Sequence, residues 1–251
     1  MNRICIIFVC NLNYINNFIS SYEQLLNNGK YKEDVCLIIG NDLYNTDIIE
    51  KIKDKYPLLI IKYFEDFYFN NNFYEINNKV KSDGRNLTKR FQWHKINIFD
   101  IFFKKWQYIL YIDSGMHIYN DIEYIINEKE ENTIIAHFDG YPTFEWKLRD
   151  QFDNTLDKFI ELNNSYNLNI DYFQTGMMLF DTNIINEETK NNIYKLATLY
   201  PISKTNEQGI IALYFTNIDK KFKPLRIYNG YYNLYDYNKR DNTKEYIMTK
   251  Y

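Results

Sequence analysis

The sequence carries little net charge and no long run of either sign. Thirty Lys and Arg stand against 33 Asp and Glu, which gives a formal net charge of −3 and an isoelectric point near 5.7. No basic run is longer than two residues. Nucleic acids and anionic membranes recruit proteins through clustered Lys and Arg. We therefore expect neither of them as a partner.

Long apolar runs and cysteines are also scarce. The apolar stretch Ile4–Cys10 has seven residues, whereas a membrane helix needs roughly 20, and no small-residue cleavage site follows it. We expect a buried first strand there, with no signal peptide and no membrane span. Cys5, Cys10 and Cys36 form no metal-binding pattern, because Cys5 and Cys10 fall on opposite faces of a strand. Three buried thiols predict a reducing compartment, the cytoplasm.

Glycine and proline are few, with 8 and 4 in 251 residues, whereas tyrosine and phenylalanine number 25 and 18. The length fits one large domain, and no stretch has the composition of a linker, so we expect residues 1–251 to form a single domain. Its core should be rich in large aromatic side chains. The tract Asn70–Asn72 is expected to cap a helix or form a loop.

Apolar runs alternate with amphipathic stretches along most of the chain. The predicted strands are Arg3–Cys10, Asp34–Gly40, Leu58–Tyr63, Tyr108–Asp113, Thr133–Phe138, Phe173–Phe180 and Phe222–Ile227. The predicted helices are Ile15–Leu26, Asp47–Lys55, Leu87–Lys105, Asn120–Asn127, Thr182–Tyr200 and Asn206–Phe215. This alternation predicts an α/β fold with a Rossmann-like, mainly parallel sheet flanked by helices.

Polar residues stand where two of the predicted strands end, which is the edge where open parallel sheets bind ligands. Asn11 and Tyr14 offer an amide and a ring to a nucleobase, although a plain turn is the commoner use of such residues. Asp113, followed by Gly115, places a carboxylate at the rim of the sheet, with a turn aspartate as the alternative. Lys95 lies on the helix leading into that strand, where it reaches a phosphate or is simply solvated.

A set of segments, in this order and at suitable spacing, resembles the GT-A glycosyltransferases of family 8, to which glycogenin and galactinol synthase belong. Cys10–Tyr14 is similar to the base-binding loop, and Trp93–Ile96 with Tyr111–Gly115 is similar to the Lys-containing helix and the Asp-x-Asp strand end. Phe173–Phe180 is similar to the Phe-Asn-Ser-Gly strand, and Asn206–Ile211 to the Asp-Gln-Gly helix start. Each motif is weak alone, and their shared order carries the resemblance.

The resemblance implies a site for a nucleotide sugar and assigns its nucleotide end. Asn11 and Tyr14 would hold the base, and Lys95 would neutralise phosphate. Asp113, with Gly115 beside it, would contact the ribose or a metal ion.

The resemblance also assigns the sugar end of the donor. Gln174 would lie beside the transferred sugar, while Glu207 and Gln208 would bind hydroxyls near the reacting carbon. Planar amides and carboxylates make paired hydrogen bonds to neighbouring hydroxyls, and aromatic rings pack on sugar faces. Three tyrosines near the C-terminus suit that packing, or equally an aromatic core: Tyr228, Tyr231 and Tyr232.

The sequence departs from the family pattern at two metal ligands. Gly115 stands where family members have a second Asp, and Ile227–Gly230 lacks their His. The resemblance implies Mn²⁺ or Mg²⁺, but Asp113 is the one expected ligand left, which argues against a tightly held ion. His117 could turn towards the same site, although a lone His is more often structural. Asp139, after the next strand, suits acceptor binding or base duty.

These observations predict a cytoplasmic glycosyltransferase that moves a sugar from a nucleoside-diphosphate donor to a hydroxyl of a sugar or protein acceptor. The resemblance implies a UDP-sugar and retention of configuration. Two alternatives stay open. A nucleotidyltransferase shares the sheet but needs a Gly-rich, basic loop after the first strand, which residues 11–14 do not provide. A non-catalytic carbohydrate- or nucleotide-binding protein would keep the fold and lose the metal site.

Overall fold

A seven-stranded sheet forms the centre of the computed structural model, which describes residues 4–80, 90–141, 143–226, 235–236 and 246–250. The strands, in chain order, are β1 (Ile4–Cys10), β2 (Asp34–Ile39), β3 (Ile60–Tyr63), β4 (Tyr108–Ile112), β5 (Met116–Ile118), β6 (Ile134–Phe138), β7 (Phe173–Asp181), β8 (Phe222–Pro224), β9 (Tyr235–Asp236) and β10 (Met248–Lys250). The central sheet has the order β3-β2-β1-β4-β7-β6-β8, and a small sheet has the order β5-β10-β9.

The central sheet is parallel except for β7. β7 runs antiparallel to both β4 and β6, while β2, β1 and β4 pair in parallel, as do β6 and β8. The carboxyl ends of the parallel strands therefore share one edge with the amino end of β7. β1 is buried at every position, in keeping with its continuous apolar sequence.

Helices cover both faces of the sheet. The α-helices, in chain order, are α1 (Ile15–Asn27), α2 (Asp47–Lys55), α3 (Asn71–Asn77), α4 (Glu123–Ile126), α5 (Asp157–Ser165), α6 (Thr189–Leu199) and α7 (Glu207–Leu213). The 3-10 helices are Leu12–Tyr14, Arg90–Phe99, Ile101–Lys105, Leu148–Gln151 and Thr182–Ile184, and Tyr214–Ile218 is a π-helix. Among the described helices, none is long and apolar enough to cross a membrane.

Two hydrophobic cores result, one on each face. The core on one side contains residues of α1, α2 and α4, and the core on the other contains residues of α3, α5, α6, α7 and the 3-10 segments 90–105. Cys5 and Cys10 contribute to different cores, which confirms that they lie on opposite faces of β1. All three cysteines are free and buried.

The predicted α/β class, with its mainly parallel sheet, is confirmed, and the predicted strands agree with the structure to within a few residues. Three helix predictions are wrong in extent. The single helix expected over Leu87–Lys105 is two 3-10 helices in its described part, separated at Asp100, whose side chain accepts a hydrogen bond from the Phe102 amide. The helix expected over Asn120–Asn127 is the single turn α4.

The third helix prediction that is wrong in extent is the one over Thr182–Tyr200. Asp181 accepts a hydrogen bond from the Asn183 amide and starts a short 3-10 turn instead. The Asn186 side chain then accepts from the Glu188 amide, and α6 begins only at Thr189. Local side-chain bonds of this kind compete with helical hydrogen bonding.

Candidate active site

Several predicted site residues lie at the edge where the parallel strands end. Asn11 follows β1, Asp113 follows β4 and Asp139 follows β6, while Gln174 is the second residue of β7. β1 lies between β2 and β4 in the sheet although β2 and β4 are far apart in sequence, so strand order reverses at this point. Open α/β sheets bind ligands in the crevice at such a reversal.

Lys95 is the centre of a buried ionic cluster at this edge. Its Nζ lies 3.0 Å from Asp113 Oδ1 and 2.7 Å from Glu207 Oε1. It also donates to the carbonyl and hydroxyl oxygens of Thr175, at 3.1 Å each. Only 5% of Lys95 is exposed, so it is not a solvated surface lysine. The cluster joins a 3-10 helix, β4, β7 and α7 at one point.

The cluster holds two carboxylates against one ammonium group. Burial alone lowers the pKa of Lys95, but Asp113 and Glu207 outweigh it and raise that pKa, so Lys95 stays charged. Burial raises the pKa of Glu207 despite the opposing effect of Lys95. Glu207 Oε2 is buried and has no hydrogen-bond partner among the described residues. An unpaired buried carboxylate oxygen costs free energy, and a ligand hydroxyl would remove that cost.

The Asp113 carboxylate stands on a firmly held loop. Tyr111 donates its hydroxyl to Asp113 Oδ1 at 2.6 Å, and the Asp113 amide donates to the Gly176 carbonyl at 2.8 Å. Ser114 donates its hydroxyl to the Val9 carbonyl at 2.8 Å, which ties the loop to β1. Gly115 lies within this loop. Asp113 is 31% exposed, and both side-chain contacts fall on Oδ1.

The 3-10 helix that carries Lys95 is fixed by a buried histidine. His94 Nε2 lies 2.8 Å from Asp66 Oδ1, and His94 Nδ1 lies 3.2 Å from the side-chain nitrogen Nδ2 of Asn97. Asp66 Oδ1 also accepts from the Asn41 amide at 3.0 Å. A Cβ on Gly40 would lie 2.6 Å from this Asp66 oxygen and 2.7 Å from His94 Nε2. The ends of β2 and β3 therefore pack directly on the helix that positions Lys95.

A second polar network lies beside the cluster. Gln208 Nε2 lies 3.4 Å from Asp139 Oδ2 and donates to Gln151 Oε1 at 3.1 Å. Tyr172 donates its hydroxyl to Asp139 and accepts from Gln151 Nε2 at 2.7 Å. Burial and the nearby Asp139 carboxylate raise the pKa of Tyr172. Gln208 Oε1 accepts from the Thr175 amide at 3.3 Å, which links the two networks.

Asn206, the residue before α7, has a backbone conformation that is unfavourable for a residue with a side chain. Its φ is 53° and its ψ is −116°. Its Nδ2 donates to Gln92 Oε1, and its Oδ1 is buried without a partner among the described residues. Strain of this kind persists where the surroundings fix it, often at functional sites. Here it turns the chain so that Glu207 faces Lys95 and Gln208 faces Asp139.

The remaining predicted residues are placed less decisively. Asn11 Oδ1 is buried and has no partner among the described residues, and the Tyr14 ring lies 5.2 Å from the Phe91 ring. Gln174 is 3% exposed, and its Oε1 likewise has no described partner. His117 lies in the small sheet beside Gln24, with 3.3 Å between His117 Nδ1 and Gln24 Nε2. Tyr228, Tyr231 and Tyr232 lie outside the described residues.

Several contributors escape sequence inspection: Thr175, Gln151, Tyr172, Asp66 and Gln92. Their roles depend on contacts between segments far apart in the chain. The one local signal is for Thr175, which falls inside the strand segment that resembles the Phe-Asn-Ser-Gly motif.

The described carboxylates do not fit a metal ion held by side chains alone. No group of three His, Cys, Asp or Glu side chains in the described part of the chain could hold one. Asp113 Oδ1 contacts Lys95 and Tyr111, and Glu207 Oε1 contacts Lys95. A hard divalent cation needs about six oxygen ligands, and this cluster leaves few free.

Neither a scan against protein-family models nor a search of curated proteins finds a match for this sequence. Solved structures do match. The galactosyltransferase LgtC, in complex with donor and acceptor sugar analogs, has a TM-score of 0.64 at 9% identity, covering 98% of this chain and 86% of its own. This chain has the GT-A glycosyltransferase fold.

Two further structures share that fold. Mouse xyloside xylosyltransferase 1 has a TM-score of 0.51 at 12% identity, covering 89% of this chain and 84% of its own. Core-mannan synthase A from Aspergillus fumigatus, in its Mn/GDP form, has a TM-score of 0.54 at 11% identity, covering 90% of this chain and 73% of its own. At such identities the likeness concerns the fold, whereas the chemistry depends on this chain's own residues.

Proposed function

We propose that this chain is a glycosyltransferase that binds a nucleoside-diphosphate sugar in the crevice between the ends of β1 and β4. The observation that supports this proposal most is the buried cluster of Lys95, Asp113 and Glu207 at the edge of the sheet where β1 and β4 end. A purely structural ion pair gains little from such burial, because desolvation offsets the attraction. Buried, charge-coupled groups at a ligand-binding edge are typical of functional sites.

We place the donor's nucleotide end beside β1. Asn11 Oδ1, which lacks a described partner, is an acceptor suited to a base N–H, and Tyr14 offers a ring for stacking. The family resemblance favours a UDP-sugar. A divalent cation would be recruited together with the diphosphate, whose oxygens would supply ligands that the protein lacks, and Asp113 is the residue that would meet it. The Mn/GDP form of a protein of the same fold supports this.

We place the donor's sugar against Glu207, Gln208 and Gln174. Glu207 Oε2 and Gln174 Oε1 are buried acceptors without described partners, which suits sugar hydroxyls. In the transfer, the bond between the anomeric carbon and the diphosphate oxygen breaks, and a bond to the acceptor oxygen forms. The acceptor's proton passes to the leaving diphosphate, and the nucleoside diphosphate departs. This route needs no strong enzymic base and gives retention, as the resemblance implies.

We place the acceptor hydroxyl at Asp139. Its carboxylate is partly exposed and is oriented by Tyr172 and Gln208. If the measured product is inverted, Asp139 or Glu207 must take the proton instead. The three free, buried cysteines support a cytoplasmic location.

The test is donor binding and turnover, measured together. A ligand at 100 times its dissociation constant adds about 2.7 kcal/mol of stability, so a thermal-shift screen of UDP-, GDP- and other nucleotide sugars, with and without Mn²⁺, should find the donor. Glu207→Gln should then lower turnover about 100-fold or more while donor affinity changes little. Glu161→Gln, which neutralises an exposed carboxylate paired with Lys158, is the matched control and should be fully active.

Two results would reject parts of the proposal. If no nucleotide sugar binds, the donor site is wrong. If a nucleotide sugar binds but neither hydrolysis nor transfer occurs in any acceptor mixture, the chain is a binding protein that kept the fold.

A further inference from the structure

A separate pocket opens beyond the end of β3, and its lining includes none of the cluster residues Lys95, Asp113 and Glu207. Its volume is about 400 Å³. Its walls are mostly aromatic, formed by Phe67, Tyr68, Phe69, Tyr74 and Trp93. Asp66 and Asn71 add a carboxylate and an amide. None of these residues is a ligand contact in the proposed function.

One wall of the pocket is formed by a solvent-exposed aromatic side chain, Tyr68. Tyr68 is 81% exposed, whereas Phe69 and Trp93 are each 4% exposed. Exposed single aromatics are common, but this one borders a concave site with polar groups beside it. Aromatic rings bury the apolar face of a sugar ring while their neighbours bond its hydroxyls.

The backbone that carries Tyr68 is held on both sides. The Tyr194 hydroxyl donates to the Tyr68 carbonyl, and the Phe67 ring stacks on the Tyr194 ring at 5.1 Å. Asn70 caps α3 by accepting from the Phe73 amide at 2.8 Å. The pocket wall is therefore formed before any ligand arrives, which lowers the entropy cost of binding.

The polar groups of the pocket suit hydroxyl ligands. Asp66 Oδ1 accepts from the Asn41 amide and contacts His94, while Asp66 Oδ2 has no partner among the described residues. The Asp66 side chain is 56% exposed and can accept from a ligand hydroxyl. Asn71 is exposed and offers both a donor and an acceptor.

We propose that this pocket is a saccharide subsite that holds a distal sugar ring of the acceptor, a proposal that rests on the glycosyltransferase function above. Asp139, where the acceptor hydroxyl is proposed to bind, follows β6, which is five strands away from β3 in the sheet; at about 4.8 Å per strand, an acceptor that reaches both the pocket and Asp139 spans roughly 24 Å along this edge. Trp93 of the pocket and Lys95 of the cluster stand on one 3-10 helix. The acceptor is thus an oligosaccharide of several rings, rather than a protein hydroxyl.

A nucleobase is the competing occupant, and the ring geometry disfavours it. A flat base binds best between parallel ring faces. Here the Phe69 ring is inclined by 57° to Trp93 and by 82° to Tyr74. Neither Trp93 nor Tyr74 therefore forms a parallel pair with Phe69, whereas the exposed ring of Tyr68 suits the face of a sugar.

The experiment measures saccharide binding without any donor. The wild type is screened on a glycan array of common hexose, hexosamine and pentose oligosaccharides, and hits are titrated by calorimetry. We expect an oligosaccharide to bind, with affinity lowered about fivefold or more by Tyr68→Ala and also lowered by Asn71→Ala. Tyr124→Ala removes a tyrosine that is 63% exposed outside the pocket and should bind like the wild type.

Glu207→Gln separates this inference from the proposed function. It should lose turnover and keep saccharide affinity. If no glycan on the array binds, or if Tyr68→Ala binds glycans as Tyr124→Ala does, the subsite is wrong even where donor turnover is observed. If Tyr68→Ala weakens UDP binding and leaves glycan binding unchanged, the pocket binds the base instead. Glycan binding that depends on Tyr68 in a protein that binds no nucleotide sugar would uphold the pocket and reject the transferase.

Discussion

Lys95 is the residue on which the ionic cluster depends. Its ammonium group contacts four acceptor oxygens, which belong to Asp113, Glu207 and Thr175. Lys95→Met removes the only cation that the described cluster contains and leaves the Asp113 and Glu207 carboxylates without a positive charge beside them. Breaking a buried ion pair on one side costs about 3–5 kcal/mol. We expect a loss of that size in the free energy of unfolding, measured by urea denaturation.

The double variant Lys95→Met/Glu207→Gln tests the cause of that loss. Glu207 already has a raised pKa because of its burial, so neutralising it should restore about 1 kcal/mol or more of the stability lost by Lys95→Met. Glu207→Gln alone should change stability by less than about 1 kcal/mol, since Lys95 keeps Asp113. Strictly additive effects of the two substitutions would show that the two side chains are not coupled as described.

Asp113 is the residue that, in the proposed function, would meet a divalent cation. With few free carboxylate oxygens in the described cluster, the apo protein should bind Mn²⁺ weakly, and a nucleoside diphosphate should strengthen that binding by supplying phosphate oxygens. Asp113→Ala should remove the strengthening, whereas Asp54→Ala, at an exposed position of α2, should not. Calorimetry of Mn²⁺ with and without UDP measures this. Tight binding by the apo protein that survives Asp113→Ala would place the metal elsewhere.

At the scale of elements, the ends of β2 and β3 hold the 3-10 helix Arg90–Phe99 through Asp66 and His94. Gly40→Ala should disturb this contact, because the added Cβ would lie 2.6 Å from Asp66 Oδ1 and 2.7 Å from His94 Nε2. Overpacking of this kind costs typically 1–3 kcal/mol. We expect a lower melting temperature and weaker donor binding, since the helix carries Lys95.

A double-mutant cycle checks that origin. In Gly40→Ala/Asp66→Ala the crowded carboxylate is absent, so the combined loss of stability should be smaller than the sum of the two single losses. A sum that is simply additive would mean that the new methyl group crowds His94 alone.

The sequence predicted the strands better than the helices, for a physical reason. β1, β2 and β4 are buried on both faces and so read as continuous apolar runs. Helix limits depend on single side-chain bonds, such as those of Asp100 and Asp181, which no periodicity shows. α3 and α5 were missed altogether, although Asn70 was expected to cap or loop and does cap α3.

The candidate site was predictable only in part. Asp113 could be found because a strand end followed by Gly is visible in the sequence. The prediction of Lys95 and Glu207 as site residues depended on the order of the motifs that resemble the family. The contact of Lys95 with Thr175 depends on β7 running antiparallel beside β4, and sequence does not give strand order. The strain at Asn206 is equally invisible, because it appears only when α7 packs on the sheet edge.

For the whole molecule, the composition determines how the fold responds to acid. The chain has only three histidines, and burial lowers the pKa of each of them: His94, His117 and His137. For His94 the nearby Asp66 opposes burial without reversing it. The folded protein therefore keeps its histidines neutral to a lower pH than the unfolded chain, which protonates them at a pKa near 6.5.

The sign of the resulting pH dependence follows from linkage. A histidine whose pKa is lowered by folding contributes stability that is fully present above pH 6.5 and is lost as the pH falls through the folded pKa. His137 is 2% exposed, and burial lowers its pKa to about 4. It should therefore account for a loss of about 3 kcal/mol in unfolding free energy between pH 7 and pH 4. Glu207, with its raised pKa, works in the opposite direction and offsets part of the total.

His137→Leu isolates this contribution. Because the variant has no group to protonate at that position, its unfolding free energy should fall less steeply than that of the wild type between pH 7 and pH 4, by about 3 kcal/mol over the range. The measurement is urea denaturation at half-unit intervals of pH. His117→Leu is the control: His117 is only half-buried, and its loss should flatten the curve far less. Parallel curves for His137→Leu and the wild type would mean that His137 is not held neutral by the fold, and acid sensitivity would then have to come from the carboxylates.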